Sequence, residues 1–241
     1  AFILLSLLSF NNFIKENLIM TKLYFVLIGA YVIAGVFCQP CFADILHVPA
    51  HYANLVGAVY WAEEGDTVLI ADGVYTGSGF EDVYFQGRDI TVTSANGPEN
   101  CIIDLDSQDK CFILTAGETS ATVISGLTIA NAYATGFGGG IYIDGSGVTV
   151  ENCHFTGCSA NNGAAIWIDS SPTGVNIRDC TFENGSVLLS GGAIYARDCS
   201  SDSLITNCQF LGNYAESSGG AMAFHTVTNM DITDCLFSGN D

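Results

Sequence analysis

The sequence predicts an all-β fold, a right-handed parallel β-helix with an N-terminal capping helix. Two motifs predict it because they alternate in fixed order along the second half of the chain. A Cys-x-Phe motif recurs with Cys spacings of 27, 28 and 27 residues, at Cys153, Cys180, Cys208 and Cys235. A glycine motif, Gly-Gly-Ala-Ile in its fullest form, starts at Gly138, Gly163, Gly191 and Gly219. Repeats of this length are typical of solenoids, in which each unit stacks on its neighbours.

The runs inside each period are too short for a helix and alternate as strands do. Residues 148–150 and 175–177 place apolar side chains at every second position. We therefore expect two or three short strands per coil, with coils about 4.8 Å apart. Equivalent residues then form inward ladders, which are Ile141/Ile166/Ile194/Met222, Val150/Ile177/Ile205/Ile232 and Phe155/Phe182/Phe210/Phe237.

A helix is predicted before the repeats, over residues 50–64. Its apolar face is expected to contain Leu55, Val56, Val59 and Tyr60, and Gly65-Asp66 ends it. A parallel solenoid has unpaired strand edges and an exposed core at each end, so a helix there acts as a cap. The first coil is expected to begin with residues 67–70.

Residues 1–43 are interpreted as upstream read-through followed by a secretory signal peptide that begins at Met20. Lys22, the apolar run 23–37 and the Cys-Phe-Ala sequence at 41–43 have the order of such a peptide, with cleavage after Ala43. The run is short for a membrane span. A membrane anchor over 2–37 is the alternative, although polar residues at 11–12 and 15–17 interrupt it. Residues 44–241 are expected to form one β-helix domain, truncated at its C-terminus.

The charge balance excludes several classes of protein. The chain has 6 Lys and Arg against 25 Asp and Glu, a net charge of −19, which leaves no electrostatic attraction for nucleic acid or anionic lipid. With 49% hydrophobic residues it is not a disordered chain. We expect a monomer without a membrane span in its mature part, and a polysaccharide or cell-surface glycan is the partner class that we consider.

Six segments resemble parts of known secreted and surface proteins. Residues 66–75 (DTVLIADGVY), with 90–92 (ITV) and 96–99 (NGPE), resemble the N-terminal coil of secreted bacterial right-handed β-helix proteins, which share the pectin-lyase-like fold. Residues 191–194 (GGAI), 210–213 (FLGN) and 237–240 (FSGN) resemble the repeats of polymorphic outer-membrane proteins of the chlamydial type. The resemblance spans residues 46–241 and implies secretion or display at a bacterial surface or outer membrane. It implies no single activity, because these coils occur in lyases, hydrolases and adhesins.

The cysteines are expected to be mainly buried thiols. Cys153, Cys180, Cys208 and Cys235 fall in one ladder, where stacked Cβ vectors run parallel and disfavour disulfides. A ladder does not converge on a tetrahedral metal site, so no metal is expected. A bridge between Cys101 and Cys111 remains open, and Cys158 and Cys199 have no evident partner.

A polar residue precedes each ladder cysteine, where the chain is expected to turn a corner. Asn and Asp suit such a bend because they tolerate the left-handed conformation and bond to nearby backbone. These residues are Asn152, Asp179, Asn207 and Asp234. No cofactor is expected; Ca²⁺ bound by Asp179 and Asp234 is a minor alternative without a motif, since the two lie two coils apart.

The strand after each glycine motif predicts a binding surface. Alternation turns Tyr142, Trp167 and Tyr195 outward as an exposed aromatic ladder, beside a polar ladder of Asp144, Asp169, Arg197 and His225. Flat aromatic faces stack on sugar rings, and the polar groups bond hydroxyls. The alternative is that the aromatics only stack on one another for stability.

The leading functional hypothesis is a secreted or cell-surface module that binds glycan or a partner surface without catalysis. The first alternative is a carbohydrate-active enzyme, a polysaccharide lyase or glycoside hydrolase, with catalytic coils partly outside this sequence. Asp144 and Asp169, one coil apart, are compatible with a carboxylate pair. A purely structural surface repeat is the second alternative. No catalytic residue is assigned.

Overall fold

The computed structural model describes residues 43–199 and 202–241. Ala43–Asp241 forms one compact unit. The predicted read-through and signal peptide before Ala43 lie outside the described residues, so that interpretation stays a prediction.

The described residues form one helix and a series of short strands. The helix, α1, is Leu55–Trp61. In chain order the strands are β1 Ile45–Val48, β2 Thr67–Ile70, β3 Gly73–Tyr75, β4 Val83–Tyr84, β5 Thr91–Ser94, β6 Cys101–Asp104, β7 Phe112–Leu114, β8 Val123–Ser125, β9 Thr128–Ala130, β10 Ile141–Asp144, β11 Val148–Glu151, β12 His154–Thr156, β13 Ser159–Asn162, β14 Ile166–Asp169, β15 Val175–Arg178, β16 Thr181–Glu183, β17 Ser186–Ser190, β18 Ile194–Arg197, β19 Ser203–Thr206, β20 Gln209–Leu211, β21 Tyr214–Ala215, β22 Met222–His225, β23 Met230–Thr233 and β24 Leu236–Ser238.

These strands form four parallel sheets wound into a right-handed β-helix, which confirms the predicted fold. Sheet A has the order β1-β2-β5-β8-β11-β15-β19-β23, and sheet B has β3-β6-β9-β12-β16-β20-β24. Sheet C is β4-β7-β10-β14-β18-β22, and sheet D is β13-β17-β21. A central coil therefore passes through four strands, β10 to β13, one more than expected. In sheet D, β13 is polar and β17 exposes Leu188 and Leu189, so neither strand shows the apolar alternation that marks the others.

The three predicted inward ladders are present with the expected register. Ile141 pairs with Ile166, Val150 with Ile177 and Phe155 with Phe182, and the pairing continues through the later coils. Phe155, Phe182, Phe210 and Phe237 stack with ring centroids 4.8 to 5.1 Å apart and planes within 7°. Phe155, Phe182 and Phe210 are buried in the apolar core, whereas Phe237 in the last coil is exposed.

The capping helix is shorter than predicted, and its buried face differs in part. Leu55, Ala58 and Val59 are buried, an i, i+3, i+4 set on one face. Val56 and Tyr60 were predicted on that face but are exposed. With only two turns, the helix offers one narrow stripe to the coil beneath it. The helix packs against β1, β2 and β4, and thus covers the N-terminal end of the solenoid.

Two side chains complete the ends of α1. The Asn54 side chain accepts a hydrogen bond from the Gly57 N–H at 2.9 Å, which makes it the N-cap. At the other end, the Arg88 guanidinium donates to the carbonyl oxygens of Val59, at 2.9 Å, and of Ala62. A cation at this position satisfies the free carbonyls that every helix leaves at its C-terminus.

The predicted corners are confirmed at all four positions. Asn152, Asp179, Asn207 and Asp234 have φ angles of 49°, 56°, 51° and 53°, in the left-handed region. The Asn207 amide also donates to the Asp179 carboxylate at 2.5 Å, so consecutive corners are linked. These polar side chains therefore hold the turn in place.

The ladder cysteines are free thiols, as predicted, and their environment is regular. Cys153, Cys180 and Cys208 are buried, and their Sγ atoms donate to backbone carbonyls of the preceding coil at 3.6 to 3.8 Å. Cys101 and Cys111 are also free and buried, so the bridge considered between them is absent. Burial raises the pKa of Cys101 and Cys158 to about 12.

Candidate functional site

The outer face of sheet C brings the predicted site residues together in two columns. Strand pairing puts Tyr142 beside Trp167 and Trp167 beside Tyr195. Asp144, Asp169, Arg197 and His225 form the second column in the same way. The aromatic column also extends toward the N-terminus through Ile113 to Tyr84. All seven predicted residues thus share one face, while their role in binding stays a prediction.

Trp167 is buried, and the expectation that it is an exposed stacking platform is wrong. Its side chain is 2% exposed. Phe137 of the preceding coil stacks on it at 4.1 Å and 20°, and Tyr195 of the following coil at 4.6 Å and 5°. A ligand therefore reaches the indole face only by displacing one of these neighbours. Its Nε1 is buried and has no hydrogen-bond partner within the part of the chain that the structure describes.

The centre of the polar column is a tight ion pair. The Arg197 guanidinium donates from Nε to Asp169 Oδ1 at 3.2 Å and from Nη2 to Oδ2. Its carbon also lies 5.4 Å from the Trp167 ring centroid, a cation–π contact. Burial alone would raise the pKa of Asp169, but hydrogen bonds from Arg197 and Ser170 outweigh burial and lower that pKa. Asp169 therefore remains a carboxylate.

Asp144 and His225, at the two ends of the polar column, are more exposed than Asp169. Tyr142 Oη donates to Asp144 Oδ2 at 3.4 Å. Burial raises the pKa of Tyr142, and the charges of Asp144 and Asp169 raise it further. His225 is exposed and contacts the Thr226 hydroxyl at 3.1 Å. Asp144 and Asp169 lie side by side in the register, as a hydrolase pair would require. However, a glycosidase acid needs a raised pKa, which Asp169 lacks.

A cavity opens where the aromatic column meets the loop before β10. Its volume is about 400 Å³. This lies within the range of about 300–1,000 Å³ that is usual for small-ligand sites. Tyr84 is 51% exposed and Phe137 37% exposed, so both rings are accessible there. We call this the sheet C cavity, and it is lined by Tyr84, Lys110, Ile113, Thr115, Thr135, Gly136, Phe137 and Tyr142.

Sequence reasoning identified only Tyr142 among these lining residues. Tyr84 was missed because β4 has two residues and no glycine motif before it. Phe137 was missed because it precedes the motif at Gly138, in a segment without a clear repeat. An aromatic residue just ahead of the glycine run was the available signal, since its ring reaches the next coil.

Two other cavities have residues with evident structural roles. The one beside α1 has a volume of about 530 Å³ and includes Asp66. That carboxylate accepts the backbone N–H groups of Asp44 and Glu63 at 2.8 and 2.7 Å. The smaller one, on sheet B, contains the His154–Glu183 pair at 3.2 Å. Across residues 43–199 and 202–241, no three His, Cys, Asp or Glu side chains converge as metal ligands.

Comparison with known proteins places the architecture in a family. Residues 111–241 match the family model described as a right-handed β-helix region, which is more than half of the chain. The chain therefore belongs to the right-handed β-helix family. Comparisons with curated proteins and with solved structures gave no match. The helix in the described segments falls short of the length and hydropathy needed to cross a membrane.

Proposed function

We propose that this protein is a non-catalytic glycan-binding module of the adhesin type, with the outer face of sheet C as its binding surface. The observation that carries the proposal is the sheet C cavity, where Tyr84, Phe137 and Tyr142 surround an open space of about 400 Å³. Apolar ring faces bury the C–H faces of sugars, and a few polar groups then fix orientation. The phenol of Tyr142 and the hydroxyls of Thr115 and Thr135 supply such groups.

The location that we propose is outside the cell, either secreted or displayed at a bacterial surface. The interpretation of residues 20–43 as a signal peptide supports it. The resemblance of the GGAI and FxxN repeats to polymorphic outer-membrane proteins supports display as a monomeric surface module. Free glycans and glycosylated surfaces are both accessible in that location.

The absence of catalysis is supported by the state of the polar column. A lyase needs cations to neutralise a uronate and a base to take the adjacent proton. Arg197 is committed to Asp169, and Asp169 is held ionised by it. A hydrolase remains the second candidate on one observation, the adjacent positions of Asp144 and Asp169.

Affinity electrophoresis in gels that contain polysaccharides tests the proposal. Tyr84→Ala and Phe137→Ala each remove one accessible wall of the cavity, and we expect retention to fall at least fivefold. Tyr214→Ala is the matched control, because this tyrosine is 46% exposed on β21 of sheet D and does not line the cavity. Unchanged retention of both cavity variants, with folded protein by circular dichroism, contradicts the proposal. Release of soluble sugar by the wild type, lost in Asp169→Asn, would establish the hydrolase instead.

A further inference from the structure

We infer that the sugar unit bound in the sheet C cavity is uncharged, and not a uronate or a sulfated residue. This inference rests on the proposed function, because it assumes that the cavity binds glycan. Two observations support it. Carboxylates lie on both sides of the cavity, and each basic side chain in the described residues already contacts another group of the protein.

Basic residues are few, and each is already engaged. Between residues 43 and 241 the sequence contains four, against 24 acidic residues. Each of the three arginines donates hydrogen bonds to a partner that does not line the cavity. These contacts are Arg88 with carbonyls of α1, Arg178 with Glu151, and Arg197 with Asp169. Only Lys110 lines the cavity itself.

The ammonium group of Lys110 lies close to carboxylates of the protein. Its Nζ lies 3.3 Å from Asp109 Oδ1. Asp82 is near as well, since its N–H donates to the Lys110 carbonyl at 2.7 Å. Burial, then the charge of Asp109, raise the pKa of Asp82, and the opposing effect of Lys110 does not reverse this rise. The one ammonium charge on this side of the cavity is therefore matched by the Asp109 carboxylate that it contacts, with Asp82 nearby.

The opposite side of the cavity is also electronegative. Tyr142 lines it, and its Oη donates to Asp144 Oδ2 at 3.4 Å, while Asp169 lies beside Asp144 in the register. Burial, then the charges of Asp144 and Asp169, raise the pKa of Tyr142, and Arg197 opposes this rise. An anionic ligand would meet like charges on both sides, and it would lose its hydration without gaining a free cation.

Uncharged sugars suit the remaining groups. Hydroxyls of Tyr142, Thr115 and Thr135 both donate and accept hydrogen bonds, as sugar hydroxyls do. The rings of Tyr84 and Phe137 need only a C–H face. A hexose that ends in a neutral hydroxymethyl group satisfies both requirements, whereas the corresponding uronate adds one uncompensated charge.

A glycan array with matched pairs tests the inference on the whole protein. Each pair shares its linkage and differs only at C6, as polygalacturonate and its carboxyl-reduced form do. We expect binding to neutral members at least tenfold tighter than to their uronate partners, and little change between low and high salt. Binding confined to acidic members, or weakened strongly by salt, overturns the inference while glycan binding stands. Binding to no member of the array overturns the proposed function.

A variant with fewer negative charges near the cavity provides a second, independent test. Asp82→Asn combined with Asp109→Asn removes two carboxylates near Lys110 and changes no lining residue. We expect the preference for neutral over uronate probes to narrow at least fivefold, since each of the two nearby charges is worth up to about that factor near a surface. Asp106→Asn, an exposed acid in the same loop, is the matched control. An unchanged preference in the double variant contradicts the electrostatic argument.

Discussion

Phe137 covers one face of Trp167, with ring centroids 4.1 Å apart, although the two residues belong to consecutive coils. Phe137 thus belongs to two environments. One part of its ring lines the sheet C cavity, and one face closes the stack that Trp167 and Tyr195 continue. The stack therefore supports the cavity wall from behind, so the stability of the stack and the shape of the cavity are coupled.

Replacement of Trp167 should mainly affect stability. Trp167→Ala leaves a cavity in a buried stack, and we expect a loss of about 3–5 kcal/mol in the free energy of unfolding. Trp167→Phe should cost clearly less, because it retains a ring and removes a buried N–H without a partner in the described structure. Urea denaturation measures both. Equal losses of unfolding free energy in the two variants would show that ring stacking is not the source of the stability that Trp167 provides.

Arg88 should stabilise the cap. Arg88→Met keeps most of the apolar stem but leaves the carbonyls of Val59 and Ala62 without their donor, and we expect a loss of about 1–3 kcal/mol. Arg178→Met is the control, because its ion pair with Glu151 is largely exposed and worth at most about 1 kcal/mol. Amide hydrogen exchange should localise the effect to α1. Faster exchange spread evenly over all coils would contradict this.

The Asp169–Arg197 pair should make stability fall in acid. The pKa of Asp169 in the folded protein lies below its ordinary value of 3.8. The unfolded chain thus binds the proton first, so the contribution of the pair is complete above that ordinary value and is lost as pH falls through the folded pKa. Asp169→Asn should flatten the fall in unfolding free energy between about pH 5 and pH 2. Arg197→Gln should flatten it similarly, and a wild-type slope in both variants refutes the assignment.

The buried thiols should be unreactive until the protein unfolds. Burial raises the pKa of Cys101 and Cys158 to about 12, so almost no thiolate exists at pH 8. We expect slow reaction with a disulfide reagent in buffer and reaction of all eight cysteines after residue 43 in urea. Cys235, the least buried, should react first in the native state. Fewer than eight reactive thiols in urea without reductant would indicate a disulfide.

The repeat of about 27 residues made the coils predictable from the sequence. The features that do not follow this repeat could not be predicted. The Ile141 and Phe155 ladders follow from a period that fixes both strand register and side-chain direction. The burial of Trp167 does not follow from that period, because it depends on how one loop places Phe137. Tyr84 lies in an early coil without a glycine motif, so alternation alone did not identify it. The polar strand Ser159–Asn162 has backbone pairing but too little apolar contrast to be recognised from sequence.

The helix α1 packs against β1, β2 and β4, so it covers the N-terminal end of the solenoid. Each later turn pairs in parallel with the turn before it, and the residues that meet between turns repeat. In such a repeat, folding spreads from one unit to its neighbours, and every added turn closes a loop of about one repeat. We therefore expect the capped first turn to serve as a template for this nearest-neighbour pairing.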